Sequence, residues 1–437
     1  MRITGKHRLA RKRRRSILAT CGVVGITAAA LFTPSAFGSD DEKPDTTRPA
    51  STAAQDIDHA QDFGASAVDG TTFENGVMTL RAAPAARAAA AASAPPSGEG
   101  WKSGGATKLL PTGYTVKFYD QKSVDWLARY VKASAADLQR VTNLPVTVDT
   151  RPVGWDYRRP KGEVVIGLLK HPCVPTTDGT PWKIVRDGSG SKNLSCAFYA
   201  SSVADTVTSG HGYIDSAFFT ADGKPSPSWG ETFLRNHISH EVGHTMGLAH
   251  ADRSATRGDC VKGSDSGQKP VMCTNGMTSG YQDKRAGSYV QQFDMQGLRH
   301  LAKGAGAALP PQGRVTGIGG KCLDVKGGKA VNGTQIQLYT CNGGVAQSWI
   351  LGKDGTLRAL GKCLDNARNA STNGNKISLF DCHGQAAQRW SVNAKGQIVH
   401  VASGKVLDVT GGSTANSTKI QLYTANTGKG QVWVTPK

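Results

Sequence analysis

The sequence predicts a multidomain protein in which an α+β domain is followed by an all-β domain. Three observations predict this architecture. The chain has 437 residues, which is too long for one ordinary domain. Strand-like and helix-like segments alternate through its middle, where one helix carries a cluster of histidines. Residues 313–437 then repeat three times, with short strand-like runs and Gly-rich turns.

The first segment, residues 1–38, has the layout of a secretory signal peptide. Basic residues lead into an apolar run from Ile17 to Phe32, and small residues follow as far as Gly38. The alternative is a membrane anchor, but the run is short for a span. We therefore expect cleavage near Gly38, secretion to the extracellular medium, and no stable membrane span afterwards.

Charge and composition describe the rest of the N-terminal region. The formal net charge is +19, and much of the excess lies in the basic leader. The remaining basic residues form no stripe and no known motif, so we expect no nucleic-acid partner. Residues 39–100 become rich in Ala, Pro and Arg without apolar periodicity. They are interpreted as a propeptide or a disordered linker.

Residues 101–308 carry the pattern of an α+β domain. Strands are predicted at 114–119, 146–148, 164–169, 197–203 and 213–220. Apolar spacing predicts a helix that Ser123 caps. Ser228 and Glu231 form a capping-box pattern, which predicts a further helix from Trp229.

The helix predicted from Trp229 contains candidate zinc-binding and catalytic residues. His240 and His244 are four residues apart and share one helix face, so both can bind one zinc ion. Gly247 can adopt positive φ, end the helix and bring His250 back as a third ligand. Three ligands leave one position open, which is typical of a catalytic zinc site. Glu241 would act as the general base toward a zinc-activated water.

This motif resembles the long His-Glu-x-x-His-x-x-Gly-x-x-His motif of the metzincin clan of zinc metallopeptidases. The resemblance implies a metzincin-like domain at 101–308, a Met-containing turn at Met272 (Met277 is the alternative), and a protein or glycoprotein substrate. It also implies a C-terminal helix, which residues 291–303 fit. Such enzymes hold the peptide antiparallel to an edge strand, here 197–203 or 213–220. Some members have a Tyr two residues after the turn Met. Thr274 stands there, and Tyr281 is the alternative for that role.

Cysteine usage fits export. Eight Cys remain once Cys21 in the leader is set aside, an even number that predicts four disulfides. Sequence spacing suggests the pairs Cys173–Cys196, Cys260–Cys273, Cys322–Cys341 and Cys363–Cys382. The last two occupy equivalent places in two repeats, and the third repeat has lost both partners, as expected for a bonded pair.

The three repeats resemble the ricin-type β-trefoil lectin, with its Gln-x-Trp signature. Three units of this length can close a barrel with pseudo-threefold symmetry, with Trp349, Trp390 and Trp433 in its core. The resemblance implies a carbohydrate ligand and these binding residues: Asp324, Gln337, Tyr339 and Gln347; Asp365 and Gln388; Asp408, Gln421, Tyr423 and Gln431. The second repeat has Ser378 and Phe380 instead, so we expect a weaker site there.

Together these features predict a secreted zinc endopeptidase that its lectin domain targets to glycans or polysaccharide surfaces. One alternative is a secreted lectin whose zinc domain is inert or acts on something other than general protein substrates. Another is a polysaccharide hydrolase, although three histidines are not the paired carboxylates of such enzymes.

Overall fold

A computed structural model describes residues 77–79 and 94–437, except 176–181, 191–193, 202–204, 255, 264–266, 275–279 and 283. The predicted signal peptide and Met277 lie outside the described residues. None of the helices within these ranges is long and apolar enough to cross a membrane.

The N-terminal part of the described chain is an α+β domain. Its helices are α1 (Gln121–Thr142), α2 (Gly230–Thr245) and α3 (Asp294–Gly304). Its strands are β1 (Val77–Thr79), β2 (Ser97–Gly98), β3 (Trp101–Ser103), β4 (Tyr114–Phe118), β5 (Val146–Val148), β6 (Glu163–Leu169), β7 (Cys173–Pro175), β8 (Trp182–Val185), β9 (Cys196–Ser201), β10 (Val207–Asp215) and β11 (Leu248–Ala249).

The main sheet of this domain has the order β5-β4-β6-β10-β9. The first four strands are parallel, and β9 runs antiparallel to β10 at one edge. Strand β6 is buried along most of its length, as expected for a parallel strand covered on both faces. One face packs against the helices in a large apolar core, and the other carries a smaller core that includes Tyr119 and Tyr213.

The N-cap of helix α1 lies three residues earlier than predicted. Asp120 is the N-cap, and its carboxylate accepts the backbone N–H of Ser123 at 2.7 Å. Ser123 itself is buried inside the first turn, where its hydroxyl accepts the N–H of Leu168 from β6. Asn143 ends the helix in the left-handed conformation.

The capping box predicted for α2 does not form. The helix begins at Gly230, and no side chain caps it. The carboxylate of Glu231 instead accepts hydrogen bonds from Arg129 and Tyr130 of α1, each at 3.0 Å. A tertiary contact thus replaces the local one that the sequence pattern indicated.

Two boundaries also differ from the sequence-based interpretation. Within the segment interpreted as a linker, β1 pairs with β8 and β2 pairs with β3. The strand predicted at 213–220 is β10, which lies earlier in the chain and ends at Asp215. A short 3₁₀ helix, Ser216–Phe218, follows because the Asp215 side chain accepts the N–H of Ala217.

The C-terminal part is built from eleven short strands. They are β12 (Gln312–Gly313), β13 (Cys322–Val325), β14 (Thr334–Tyr339), β15 (Trp349–Leu351), β16 (Leu357–Ala359), β17 (Lys362–Asn366), β18 (Asn375–Phe380), β19 (Trp390–Val392), β20 (Ile398–His400), β21 (Val406–Val409) and β22 (Thr418–Tyr423). Strands β14, β18 and β22 are equivalent in the three repeats and pair with one another.

The repeats share one core. Trp349, Trp390 and Trp433 are all buried in it, as predicted. Each indole N–H donates to the equivalent carbonyl of its own repeat, at Leu323, Leu364 and Leu407, over 2.8, 3.0 and 3.2 Å. Three equivalent Lys–Asn hydrogen bonds connect neighbouring repeats: Lys321–Asn416, Lys362–Asn332 and Lys405–Asn373.

The four predicted disulfides are confirmed. The bonded pairs are Cys173–Cys196, Cys260–Cys273, Cys322–Cys341 and Cys363–Cys382. Four disulfides fit a secreted or extracellular protein.

Candidate functional site

The three predicted zinc ligands lie at the end of α2 and in the turn that follows it. His240 and His244 are on the last two turns of the helix. Gly247 has φ +86°, and a Cβ there would stand 2.8 Å from side-chain carbons of Ala106 and Val207. Strand β11 then pairs antiparallel with β3. The turn and the strand return the chain so that His250 faces the helix.

The ring nitrogens of these histidines converge. The Nε2 atoms are 3.0 Å apart for His240 and His250, 3.1 Å for His240 and His244, and 3.2 Å for His244 and His250. The Nδ1 atom of His240 is 2.8 Å from the Val271 carbonyl, and that of His244 is 2.8 Å from the Leu248 carbonyl. A carbonyl can only accept, so both Nδ1 atoms carry the proton and both Nε2 lone pairs face the centre.

This donor set fits a zinc ion. All three histidines are buried, and burial, together with nearby positive charges, holds the pKa of His250 well below its usual value. Neutral imidazole is the form that binds metal. Two Zn–N bonds of about 2.0–2.1 Å at a tetrahedral angle span roughly 3.3–3.4 Å. The observed separations are close to that, so His240, His244 and His250 could hold one ion.

Glu241 lies beside the ligands on the same helix. Its side chain is buried, and its Oε1 is 3.9 Å from the Nε2 of His237. His237 donates to or accepts from Ser195 Oγ at 2.7 Å and stacks on Phe233. Burial lowers the pKa of His237 to about 3, so this ring is neutral beside the carboxylate. His237 thus helps to pack the buried wall next to Glu241.

Met272, the residue predicted for the turn, lies directly against α2. A Cβ at Gly243 would stand 2.4 Å from the Met272 sulfur, so only glycine leaves room for it. Two backbone carbonyls of this turn contact the two segments that carry the histidines. The Val271 carbonyl accepts from His240, and the Met272 carbonyl accepts the N–H of Ala251 at 2.8 Å. The turn therefore supports the helix and the His250 segment at once.

Asp294 holds this turn in place, and the sequence did not indicate it. The carboxylate is fully buried at the start of α3. It accepts the N–H groups of Val271, Met272 and Val290 at 2.8, 2.9 and 3.0 Å. Three backbone donors orient its two oxygens. An acidic residue in the first turn of a predicted helix was the only available signal.

Some metzincins have a Tyr two residues after the turn Met, and the two residues considered for that role here are Thr274 and Tyr281. Both make contacts away from the three histidines. Thr274 is buried, and its hydroxyl accepts the N–H of Gly258 at 2.7 Å. Tyr281 is buried beneath the Arg285 guanidinium, 3.8 Å from its ring centroid. Its carbonyl accepts from Asn236 at 3.0 Å. Tyr281 also lines a cavity with Gly361 and Cys382 of the trefoil, which places it on the trefoil side of the domain.

In the first trefoil repeat, the predicted sugar-binding residues come together. Asp324 accepts from Gln337 Nε2 at 2.8 Å and from Gln347 Nε2 at 3.0 Å. Among the described residues, no hydrogen-bond partner reaches the buried Oε1 of Gln337. Asp324, Gln337 and Tyr339 line a pocket of about 720 Å³. Asn342, which the sequence did not single out, lines it as well.

The third repeat reproduces this network and the second does not. Asp408 accepts from Gln421 and Gln431 at 2.8 and 3.0 Å, and Tyr423 is partly exposed. In the second repeat Asp365 accepts from Gln388 at 3.0 Å, but Ser378 replaces the other glutamine. The same oxygen of Asp365, Oδ2, is also 3.3 Å from Nε2 of His383.

Comparison with known proteins identifies the C-terminal part. Residues 311–433 match the family described as "Ricin-type beta-trefoil lectin domain". This part of the chain is therefore a ricin-type β-trefoil lectin domain, as the sequence predicted. The match does not extend to the α+β domain. No curated protein matches this chain.

Three of the solved structures to which this chain is similar are two agglutinins and a designed protein. The agglutinin from Abrus precatorius is 30% identical, over 29% of this chain and 48% of that chain, with a TM-score of 0.27. The designed threefold-symmetric protein ThreeFoil is 28% identical, over 29% and 98%, with a TM-score of 0.27. The Rhizoctonia solani agglutinin is 25% identical, over 29% and 95%, also with a TM-score of 0.27. This chain spans about half the length of the Abrus agglutinin.

Proposed function

We propose that this chain is a secreted zinc-dependent endopeptidase of the metzincin type, targeted to glycans by its C-terminal lectin domain. The convergence of three buried Nε2 atoms within 3.2 Å of one another carries the enzyme half of the proposal. No carboxylate pair of the kind used by glycosidases forms part of that triad. Peptide hydrolysis is the reaction that this donor set, with an adjacent glutamate, supports best.

The residues of the chain have distinct tasks in this proposal. Zinc, when bound, supplies a Lewis acid that polarises the substrate carbonyl and lowers the pKa of a water molecule. His240, His244 and His250 would hold it, with the carbonyls of Val271 and Leu248 fixing two of the rings. Glu241 would accept the proton of the attacking water and deliver it to the leaving amine.

Strand β9 would bind the substrate. It is the edge of the main sheet and, among the described residues, pairs only with β10. An extended peptide could add to its open edge by main-chain hydrogen bonds. This favours the first of the two segments predicted for that role, since β10 lies inside the sheet and is paired on both sides.

The lectin domain would concentrate the enzyme on its substrate. A sugar in the first-repeat pocket could accept and donate hydrogen bonds at Asp324 and Gln337, and stack on Tyr339. Attachment to a glycosylated surface raises the local substrate concentration without any new contact at the zinc site.

The test is hydrolysis of casein by the mature chain, with and without a chelator. Glu241→Ala should lower kcat at least about a hundredfold because a general base is lost, while the zinc content stays near one ion per chain. His244→Ala should lose both the zinc and the activity. Glu231→Gln is the matched control, since it lies on the same helix and contacts α1 instead. Undiminished hydrolysis by Glu241→Ala would refute the proposal.

A lectin whose zinc domain is inert is the second candidate. The first-repeat pocket and the family match favour it. It predicts that the mature chain binds polysaccharide and that no peptide substrate is cleaved at any zinc concentration. Zinc analysis alone does not separate the two candidates, whereas the Glu241→Ala comparison does.

A further inference from the structure

A charged cavity lies where the α+β domain meets the trefoil. It is separate from the histidine site and from the sugar pocket of the first repeat. It has a volume of about 280 Å³ and lies between helices α1 and α3 and the β15–β16 hairpin. Arg140 of α1 and Arg299 of α3 line it on the side of the α+β domain. The trefoil lines the other side with Lys353, Asp354 and Arg358.

Positive charge dominates this cavity. Its lining contains four cationic side chains and one carboxylate. That carboxylate, Asp354, is already paired with Arg358 at 2.5 Å. Arg140 is paired with Asp137 next to the cavity. Arg299 donates to the carbonyl of Pro310 at 2.8 Å, a neutral partner. The cavity therefore keeps an excess of cationic charge after its internal pairs are counted.

The arginines also act on one another. Burial lowers the pKa of Arg299 and of Arg358, and the charge of Arg140 lowers the pKa of both further. Like charges that face each other in a partly buried cleft are poorly screened by water. An anion between them would relieve this repulsion. Guanidinium groups are well suited to it, because their planar N–H groups match sulfate and phosphate oxygens.

The cavity belongs to a junction held by direct hydrogen bonds. Gln291 donates to the Ser348 carbonyl at 3.1 Å and accepts the N–H of Gly361 at 2.8 Å. Arg285 donates to the Leu360 carbonyl at 2.7 Å. An anion in the cavity would add contacts to both sides of this junction, since its candidate partners come from both domains.

We propose that this cavity binds a tetrahedral oxyanion, sulfate or phosphate, either free or as an ester, and that the bound anion stabilises the junction between the two domains. Its small volume fits such a group better than a whole sugar ring with substituents. This site is separate from the zinc site and from the sugar pockets, and it does not depend on the function proposed for them.

The experiment measures binding to the full mature chain. Sulfate, phosphate and glycerol 3-phosphate are each titrated by calorimetry at constant ionic strength, with chloride as the balancing anion. The unfolding temperature is followed in parallel. A ligand that binds only the folded state should raise it in a saturable way. Binding of the inorganic anions alone indicates a free ion, and binding of glycerol 3-phosphate as well indicates that esters are accepted.

Variants decide whether the cavity is responsible. Arg299→Gln should weaken anion binding at least about tenfold, because one charge-assisted hydrogen-bond partner is lost. Arg140→Gln, at a more exposed position, should do the same and remains informative if Arg299→Gln fails to fold. Arg151→Gln, an exposed arginine paired with Asp149, is the matched control and should bind as the wild type does. Equal stabilisation by chloride, or undiminished binding by both cavity variants, would overturn the proposal.

Discussion

The carboxylate of Asp294 accepts the backbone N–H of Met272 at 2.9 Å and so fixes helix α3 to the turn beneath the histidines. The same carboxylate accepts the N–H of Val271, whose carbonyl is 2.8 Å from Nδ1 of His240. Two hydrogen bonds therefore separate a buried acid from a candidate metal ligand. The orientation of the His240 ring depends on a residue more than fifty positions along the chain.

Asp294→Ala should weaken zinc binding. Loss of the carboxylate leaves the Val271 and Met272 N–H groups without their acceptor and frees the carbonyl that orients His240. Groups that hydrogen-bond a metal ligand directly are typically worth about 10–100-fold in affinity. Asp294 acts through one further hydrogen bond, so we expect a loss of about tenfold, at the lower end of that range. Competition with a chromophoric chelator measures the change. Asp125→Ala, at an exposed position on α1, is the control, and an unchanged zinc affinity in Asp294→Ala would contradict the prediction.

The same residue should make the stability of the domain depend on pH. Burial raises the pKa of Asp294 to about 6, although its backbone hydrogen bonds lower it. The native state then binds this proton more tightly than the unfolded chain. The stability it contributes is complete below about pH 4 and is lost as the pH rises through 6. A shift of about two pKa units corresponds to about 3 kcal/mol.

Asp294→Asn tests this pH dependence, because the amide cannot titrate. The unfolding temperature of the wild type, relative to that of the variant, should fall between pH 4 and pH 7. Both proteins are measured with excess chelator, so that the pH dependence of zinc binding does not enter the comparison. A difference that stays constant over this range would show that Asp294 titrates at its ordinary pKa.

Gly243→Ala should destabilise the α+β domain even though alanine favours helix. The intrinsic preference gains about 1 kcal/mol. The new Cβ, however, would stand 2.4 Å from the Met272 sulfur in a site with no spare volume. Overpacking of this kind costs about 1–3 kcal/mol. Chemical denaturation measures the net effect. In a Met272→Ala background the same change should be stabilising, and a loss of equal size in both backgrounds would exclude the clash as its cause.

The parts of this protein that were predictable follow from local patterns. The spacing of His240 and His244 is a property of one helix, and Gly247 is required by one turn. Recurring motifs mark where each trefoil repeat begins and ends. The third repeat has lost both Cys, which indicated that the equivalent Cys in the other two repeats are disulfide-bonded. Each of these inferences needs only residues that are close in sequence or equivalent by repetition.

The errors arose where a distant residue decided the outcome. Ser228 and Glu231 match a capping box, but Arg129 and Tyr130 on another helix compete for the glutamate. Asp294 acts on a turn that precedes it by about twenty residues, and no spacing rule connects the two. Asn342 lines the sugar pocket through the shape of a loop that the strand pattern does not specify. Tertiary competition of this kind leaves no local signature.

The three trefoil repeats should differ in sugar affinity, and the chain supplies its own controls. Asp324→Ala and Asp408→Ala each remove the acceptor for two glutamine side chains. Each should abolish one site and roughly halve the number of sugars bound per chain. Asp365→Ala should have little effect, because the second repeat lacks the second glutamine and presents His383 to Asp365 instead. Retention on a panel of immobilised polysaccharides and calorimetric stoichiometry measure this. If Asp365→Ala reduced sugar binding as much as Asp324→Ala, the second repeat would bind sugar as well as the first. The pair of glutamines that donate to the Asp would then not be required for sugar binding.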